Sequence, residues 1–228
     1  MNKENRILFE GNPFPNGHII KEFIWSARLE NDGLYFDFHL QTGDYGAEDG
    51  YDEPENYEPE SDWKAKIAWQ NFHKCTISST EWHDGGVKVA DSNIKIDILN
   101  LSNKEFNADT PPIDMEEDYE ERAFHIYLLG HDACADHKIV FKTKHPDNSY
   151  DIGWTGKIAL AYIGEFELDH KFVANIQSAK FQGIYYNNTL SQSEAITELS
   201  KYVTDTDIFT FQDLNPKSNK REYKLILK

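Results

Sequence analysis

Apolar residues recur at every second position along segment after segment of this chain. Leu34, Phe36, Phe38 and Leu40 alternate with Tyr35, Asp37 and His39. Trp63, Ala65, Ile67 and Trp69 alternate with Lys64, Lys66 and Ala68, and Ile94, Ile96 and Ile98 with Lys95 and Asp97. A period of two places one set of side chains on one face of a pleated backbone, so each segment predicts a half-buried antiparallel strand. Further strands are expected within 124–129, 139–141, 157–162, 166–176 and 181–186, with turns at Asn31-Asp32-Gly33 and Pro146-Asp147-Asn148. The chain holds 14 Phe, 12 Tyr and 5 Trp, so aromatic rings must supply much of its buried surface, which favours sheets.

One segment breaks the period. Over 189–203, Ala195, Ile196, Leu199, Tyr202 and Val203 share a helical stripe, and Ser191 with Glu194 has capping-box spacing. Strands at 208–211 and 222–227 follow, joined by the turn-rich 215–219. The expected fold is therefore mainly β, with antiparallel sheets packed as a sandwich and one helix near the C-terminus.

Two stretches read as copies of one unit. Phe36 to Leu40 precedes Asp44, Ala47, Glu48 and then Trp63, Lys66, Ile67, Ala68; Phe124 to Leu128 precedes Asp132, Ala135, Asp136 and then Trp154, Lys157, Ile158, Ala159. The shared order predicts an internal duplication, with a first β unit over 1–110 and a second over 111–228. The boundary falls at 107–121, where Pro111-Pro112 precedes Asp114, Glu116, Glu117, Asp118, Glu120 and Glu121.

The formal net charge is −17, from 40 acidic and 23 basic side chains. Such a chain repels a phosphate backbone and an anionic membrane at long range, so nucleic acid and membrane are excluded as expected partners. The charge concentrates in 43–62, where Asp44, Glu48, Asp49, Asp52, Glu53, Glu55 and Glu58 stand with no Lys or Arg, and Pro54 and Pro59 deny them regular structure. These seven residues are the expected partner-binding set. The partner is expected to be a basic protein, and the most concrete version is an immunity-type inhibitor that neutralises a basic toxin. The N-terminus lacks the features of a secretory signal, so a cytoplasmic location is expected. Cys75 and Cys134 read as buried free thiols, and the size of the chain calls for no cofactor. Nothing in the sequence sets the oligomeric state.

Other chemistries are weaker. The acidic stretch fits a hard cation in composition, but no register reproduces the ligand order of an EF-hand. His131, Asp132, Asp136 and His137, with Cys134, form the densest set of transition-metal donors, although an extended backbone would hold the two histidines about 20 Å apart. No metal is assigned to them. There is no nucleophile elbow, phosphate loop, dinucleotide fingerprint or His-Glu-x-x-His, and no catalytic residue is assigned. A hydrolase using acidic residues is the alternative function, and a calcium-dependent or carbohydrate-binding β module is the third. The carbohydrate reading requires Trp25, Trp69 and Trp82 to gather on an exposed face.

Overall fold

The computed structural model describes residues 4–47, 58–115 and 119–228. Among these it forms thirteen strands and two α-helices. In chain order they are β1 (Arg6–Phe9), β2 (His18–Glu30), β3 (Gly33–Thr42), α1 (Lys66–Phe72), β4 (Thr76–Ser78), β5 (Val87–Ala90), β6 (Glu105–Ala108), β7 (His125–Tyr127), β8 (Ala133–Lys144), β9 (Tyr150–Ala159), β10 (His170–Ala179), β11 (Phe181–Tyr186), α2 (Gln192–Leu199), β12 (Phe209–Asp213) and β13 (Tyr223–Leu227).

The strands hydrogen-bond into a single curled sheet, a half-barrel, with the order β12-β13-β11-β2-β1-β10-β9-β8-β6 and a branch through β3 to β4, β7 and β5. All pairings are antiparallel except that of β11 with β2. The curl depends on β2, which is long enough to serve two neighbours on one edge. Its first residues, His18 and Ile19, pair with β1, and Trp25 to Leu29 pair with β11. Its other edge pairs with β3 from Ile20 to Glu30, closed by the two-residue turn at Asn31 and Asp32. One arm of the sheet (β1, β10, β9, β8, β6) thereby turns to face the other. The expected sandwich of separate sheets gives way to one continuous sheet folded on itself. Both β1–β10 and β2–β11 pairings cross the expected division at residue 110.

The inner face is filled by rings, as the composition requires. Phe141 of β8 meets Trp25 of β2 with centroids 4.8 Å apart, and meets Phe36 and Phe38 of β3 at 5.9 and 6.4 Å. Trp154 of β9 meets Phe38 at 5.9 Å and Phe124 at 4.8 Å. All of these rings are buried.

Two expected strands are absent, for identifiable reasons. Trp63 to Trp69 forms a turn and then α1. Ala65, Trp69 and Phe72 stand at i, i+4 and i+7, a helical stripe that coexisted with the period-two pattern, and it is the one buried, leaving Ile67 62% exposed. The indole N–H of Trp69 donates to the Trp63 carbonyl, and that of Trp63 to the Glu10 carbonyl, pinning the turn to the end of β1. In the segment from Ile94 to Ile98, the carboxylates of Asp91 and Asp97 take the backbone N–H groups of Asn93, Ile94 and Leu99, forming turns instead of a ladder. Only an isolated bridge from Ile96 to Val203 remains.

The sequence copies do not correspond in structure. Phe36 to Leu40 lies in the middle of the ten-residue β3, whereas Phe124 to Leu128 contains the three-residue β7. Trp63 precedes a helix, whereas Trp154 sits inside β9. The C-terminal elements follow expectation: α2 begins with the Ser191–Glu194 capping box, and β12 and β13 pair antiparallel.

Truncation at the meeting point of the two arms should be costly. Phe141→Ala is expected to lower unfolding free energy by about 3–5 kcal/mol in urea titration. Ile67→Ala, on the exposed face of α1, should stay within about 0.5 kcal/mol of the parent. Equal effects at the two positions would contradict the core assignment.

Candidate functional site

On the outer face of β2 and β3, cross-strand neighbours are Ser26 with Asp37, Ile24 with His39, and Glu22 with Gln41. Ser78, Thr80 and Glu81, from β4 and the segment after it, close one side and leave a cleft of ≈ 380 Å³. Its lining carries three carboxylates, Glu22, Asp37 and Glu81, and one imidazole, His39, with no Lys or Arg.

Asp37 lies at the base of the cleft, where burial raises its pKa above the usual 3.8. The Arg28 guanidinium and the Ser79 hydroxyl oppose that shift: Arg28 Nε donates to Oδ2 at 3.4 Å, and Ser79 Oγ to Oδ1 at 3.2 Å. Arg28 also donates to Glu30 at 2.9 Å and to the Gly85 carbonyl, so its charge is spent beneath the cleft. Gly86 follows with φ +98°, and a Cβ there would stand 2.6 Å from Asp37 Oδ1, so only glycine allows this approach. At the rim, His39 Nδ1 is 3.5 Å from Glu81 Oε2, an ion pair when the imidazole is protonated. The arrangement presents carboxylates to a cation and holds one carboxyl partly desolvated.

The expected partner-binding set is only partly described. Asp44 is exposed, accepts the Gly46 N–H at 2.7 Å and lies 3.7 Å from His73 Nδ1; Glu58 is exposed. Glu48, Asp49, Asp52, Glu53 and Glu55 lie outside the described residues. Sequence reasoning overlooked Glu22, Asp37 and Glu81. Asp37 and Glu22 stood on the polar faces of their strands, and their convergence depends on the β2–β3 register, which a single polar face does not reveal.

The four metal candidates have separate duties. His131 is exposed, its ring 5.4 Å from that of Tyr127. Asp132 is buried and accepts from the Leu129 and Tyr162 backbone N–H groups at 2.9 and 3.4 Å. Asp136, at φ +54°, pairs with Lys157 at 2.8 Å. His137 is buried, its Nδ1 accepting from the Trp154 indole at 3.3 Å. Among the described residues no three such side chains gather to hold a metal ion. The Cys134 thiol is enclosed and burial pushes its pKa upward, which disfavours the thiolate that nucleophilic attack needs. Trp25 and Trp69 are buried with Trp63 and Trp154, so Trp82 gains no stacking platform from them.

Three buried histidines, His18, His125 and His137, make stability depend on pH. His18 is enclosed by Phe9, Phe14, Tyr45 and Trp69, and lies parallel to the Trp69 ring at 5.7 Å. Burial, with the Arg6 charge adding to it, lowers its pKa to about 4; burial, with the Arg122 charge, lowers that of His125 to about 4, and burial lowers that of His137 to about 3. All three are depressed relative to the unfolded chain, so unfolding takes up protons once the pH falls below the unfolded pKa of about 6.5, and stability falls with it. Each histidine contributes up to about 1.4 kcal/mol per pH unit between there and about pH 4. Burial raises the pKa values of Asp37, Asp109 and Asp132, and these carboxyls offset part of the loss near the acid end. Urea unfolding from pH 7 to pH 4 should show this decline, with a shallower slope in His18→Phe. An unchanged slope would show that His18 is protonated in the folded protein.

No helix among the described residues is long and apolar enough to cross a membrane. The chain matches no protein-family profile, no curated protein and no solved structure.

Proposed function

We propose that this protein is an acidic interaction module that captures a basic protein, with the cleft on the outer face of β2 and β3 receiving a lysine or arginine side chain of the partner. The supporting observation is that Glu22 and Glu81 line the cleft with no Lys or Arg in the lining, Asp37 being paired with Arg28 beneath it, on a chain of net charge −17. Arg28 is committed to Asp37, Glu30 and Gly85. Ile24, 37% exposed in the same cleft, offers apolar surface to the methylene stem of the incoming side chain. The acidic residues Asp44 to Glu58 add to the field that steers a basic partner inward. An immunity-type inhibitor acting on a basic toxin in the cytoplasm is the most concrete form of this reading.

A second reading rests on Asp37 alone. A carboxyl with raised pKa, in a cleft with His39 and Glu81, has the character of a general acid, which suits a hydrolase.

The two readings separate in one preparation. The protein and its Glu22→Gln/Glu81→Gln variant are used to capture proteins from source-cell lysate, and association rates are then measured at low and high salt. The parent should retain a basic protein with a rate that falls as salt rises, because surface fields decay over roughly 8 Å at physiological ionic strength. The variant should fold normally, bind more slowly and lose much of the salt dependence. An identical captured set with identical rates would reject docking through the cleft, and hydrolysis of a small substrate abolished by Asp37→Asn would favour the enzyme.

A further inference from the structure

The facing arm of the sheet has a different outer surface. There β1, β10 and β9 lie side by side, and their register aligns Leu8, Val173 and Thr155 in one row. The adjacent row holds Glu10, Lys171 and Lys157, the Glu10 N–H donating to the Lys171 carbonyl at 2.9 Å. Residues 11–15, leading from β1 toward β2, close this surface into a groove of ≈ 650 Å³, with Phe14 and Pro15 in its wall. The volume is that of a small-molecule site.

The groove has an apolar floor, and its charged lining is two carboxylates, Glu10 and Asp136, and two ammonium groups, Lys157 and Lys171. Leu8 and Val173, direct cross-strand neighbours, are 40% and 43% exposed, though the strand face around them is mostly polar. Lys171 and Lys157 are also directly opposed, and like charges in that position repel. Asp136 pairs with Lys157 at 2.8 Å. Lys171 forms no ion pair among the described residues, and Glu10 stands on its far side from Lys157. With Lys157 held by Asp136, an anion on the Lys171 ammonium would give it a partner, and an apolar chain attached to that anion would cover Leu8 and Val173.

We infer that this groove binds an amphipathic carboxylate of fatty-acid type, its head on Lys171 and its chain along Leu8 and Val173 beside Phe14 and Pro15. The site is independent of the acidic cleft. Its two halves exclude other ligand classes in different ways. Lys171 discriminates against cationic amphiphiles, and the exposed apolar pair against small hydrophilic anions, which gain nothing from covering Leu8 and Val173.

Calorimetric titration of the full chain with decanoate, decanol and decyltrimethylammonium, each below its aggregation threshold, tests the assignment. Decanoate should bind at one saturable site, decanol about tenfold or more weakly, and the cation not measurably. Lys171→Glu and Val173→Asp, both on the outer face, should keep the parent thermal midpoint and each weaken decanoate by about tenfold or more. Absence of decanoate binding, equal binding of the three probes, or parent-like decanoate affinity in either variant would overturn the proposal.

Discussion

Phe141 sits where the two arms of the sheet meet. On one side it touches Trp25, Phe36 and Phe38; on its own side it touches Tyr150 and Phe106. A curled sheet has no separate core for each arm, so this contact must hold both inner faces out of water together. Aromatic rings suit the task. Each buries a large area with few rotatable bonds, and tilted and edge-on pairs let rings from strands at different angles interlock. Once that packing is fixed, the pleat leaves no freedom outside: each residue that does not enter the core must face solvent, and the register decides which ones meet there.

That rule generates both outer surfaces. β2 and β3 place Asp37 opposite Ser26 and His39 opposite Ile24, because Trp25, Phe36 and Phe38 have taken the inner positions. β9 and β10 place Lys157 opposite Lys171 because Trp154, Ile158 and Phe172 have done the same. A slip of one residue in either pair would exchange core and surface and cost several buried rings. The outward constellations are therefore as rigidly specified as the core, although they contribute little to its stability.

Much of this was readable from the sequence. The alternation around Phe36, the turn at Asn31-Asp32, the Ser191–Glu194 cap and the β12–β13 pair all appear where local pattern places them, since short-range geometry decides them. Trp63 to Trp69 was ambiguous because Ala65 and Trp69 satisfy two and four residues of spacing at once, and only the cluster around Phe9 and His18 chooses between them. Ile94 to Ile98 failed because Asp91 and Asp97 compete for the backbone donors that a strand would need. The cleft was the least legible feature. Glu22 and Asp37 are ordinary polar residues that meet through the register of the β2–β3 hairpin, and Glu81 joins them only through the longer-range pairing of β3 with β4.

The charge distribution within the fold bears on both sites. In a chain of −17, a lysine has many acids available, and Lys88, Lys138, Lys180 and Lys201 each lie against one. Exposed pairs of this kind add little stability, yet they remove positive charge from the surface and leave the remaining acids to set the field. Arg28 does this most completely, since it neutralises Asp37 from below while the titratable residues lining the cleft are acids and one imidazole. Lys171, like Lys21 and Lys104, forms no ion pair among the described residues; it stands between Glu10 and Lys157 in a groove whose floor carries the exposed Leu8 and Val173. An excess of acid elsewhere raises the cost of bringing an anion to the protein from a distance, so such a ligand must be held by close contacts. The Lys171 ammonium beside an apolar floor supplies contacts that long-range screening does not weaken.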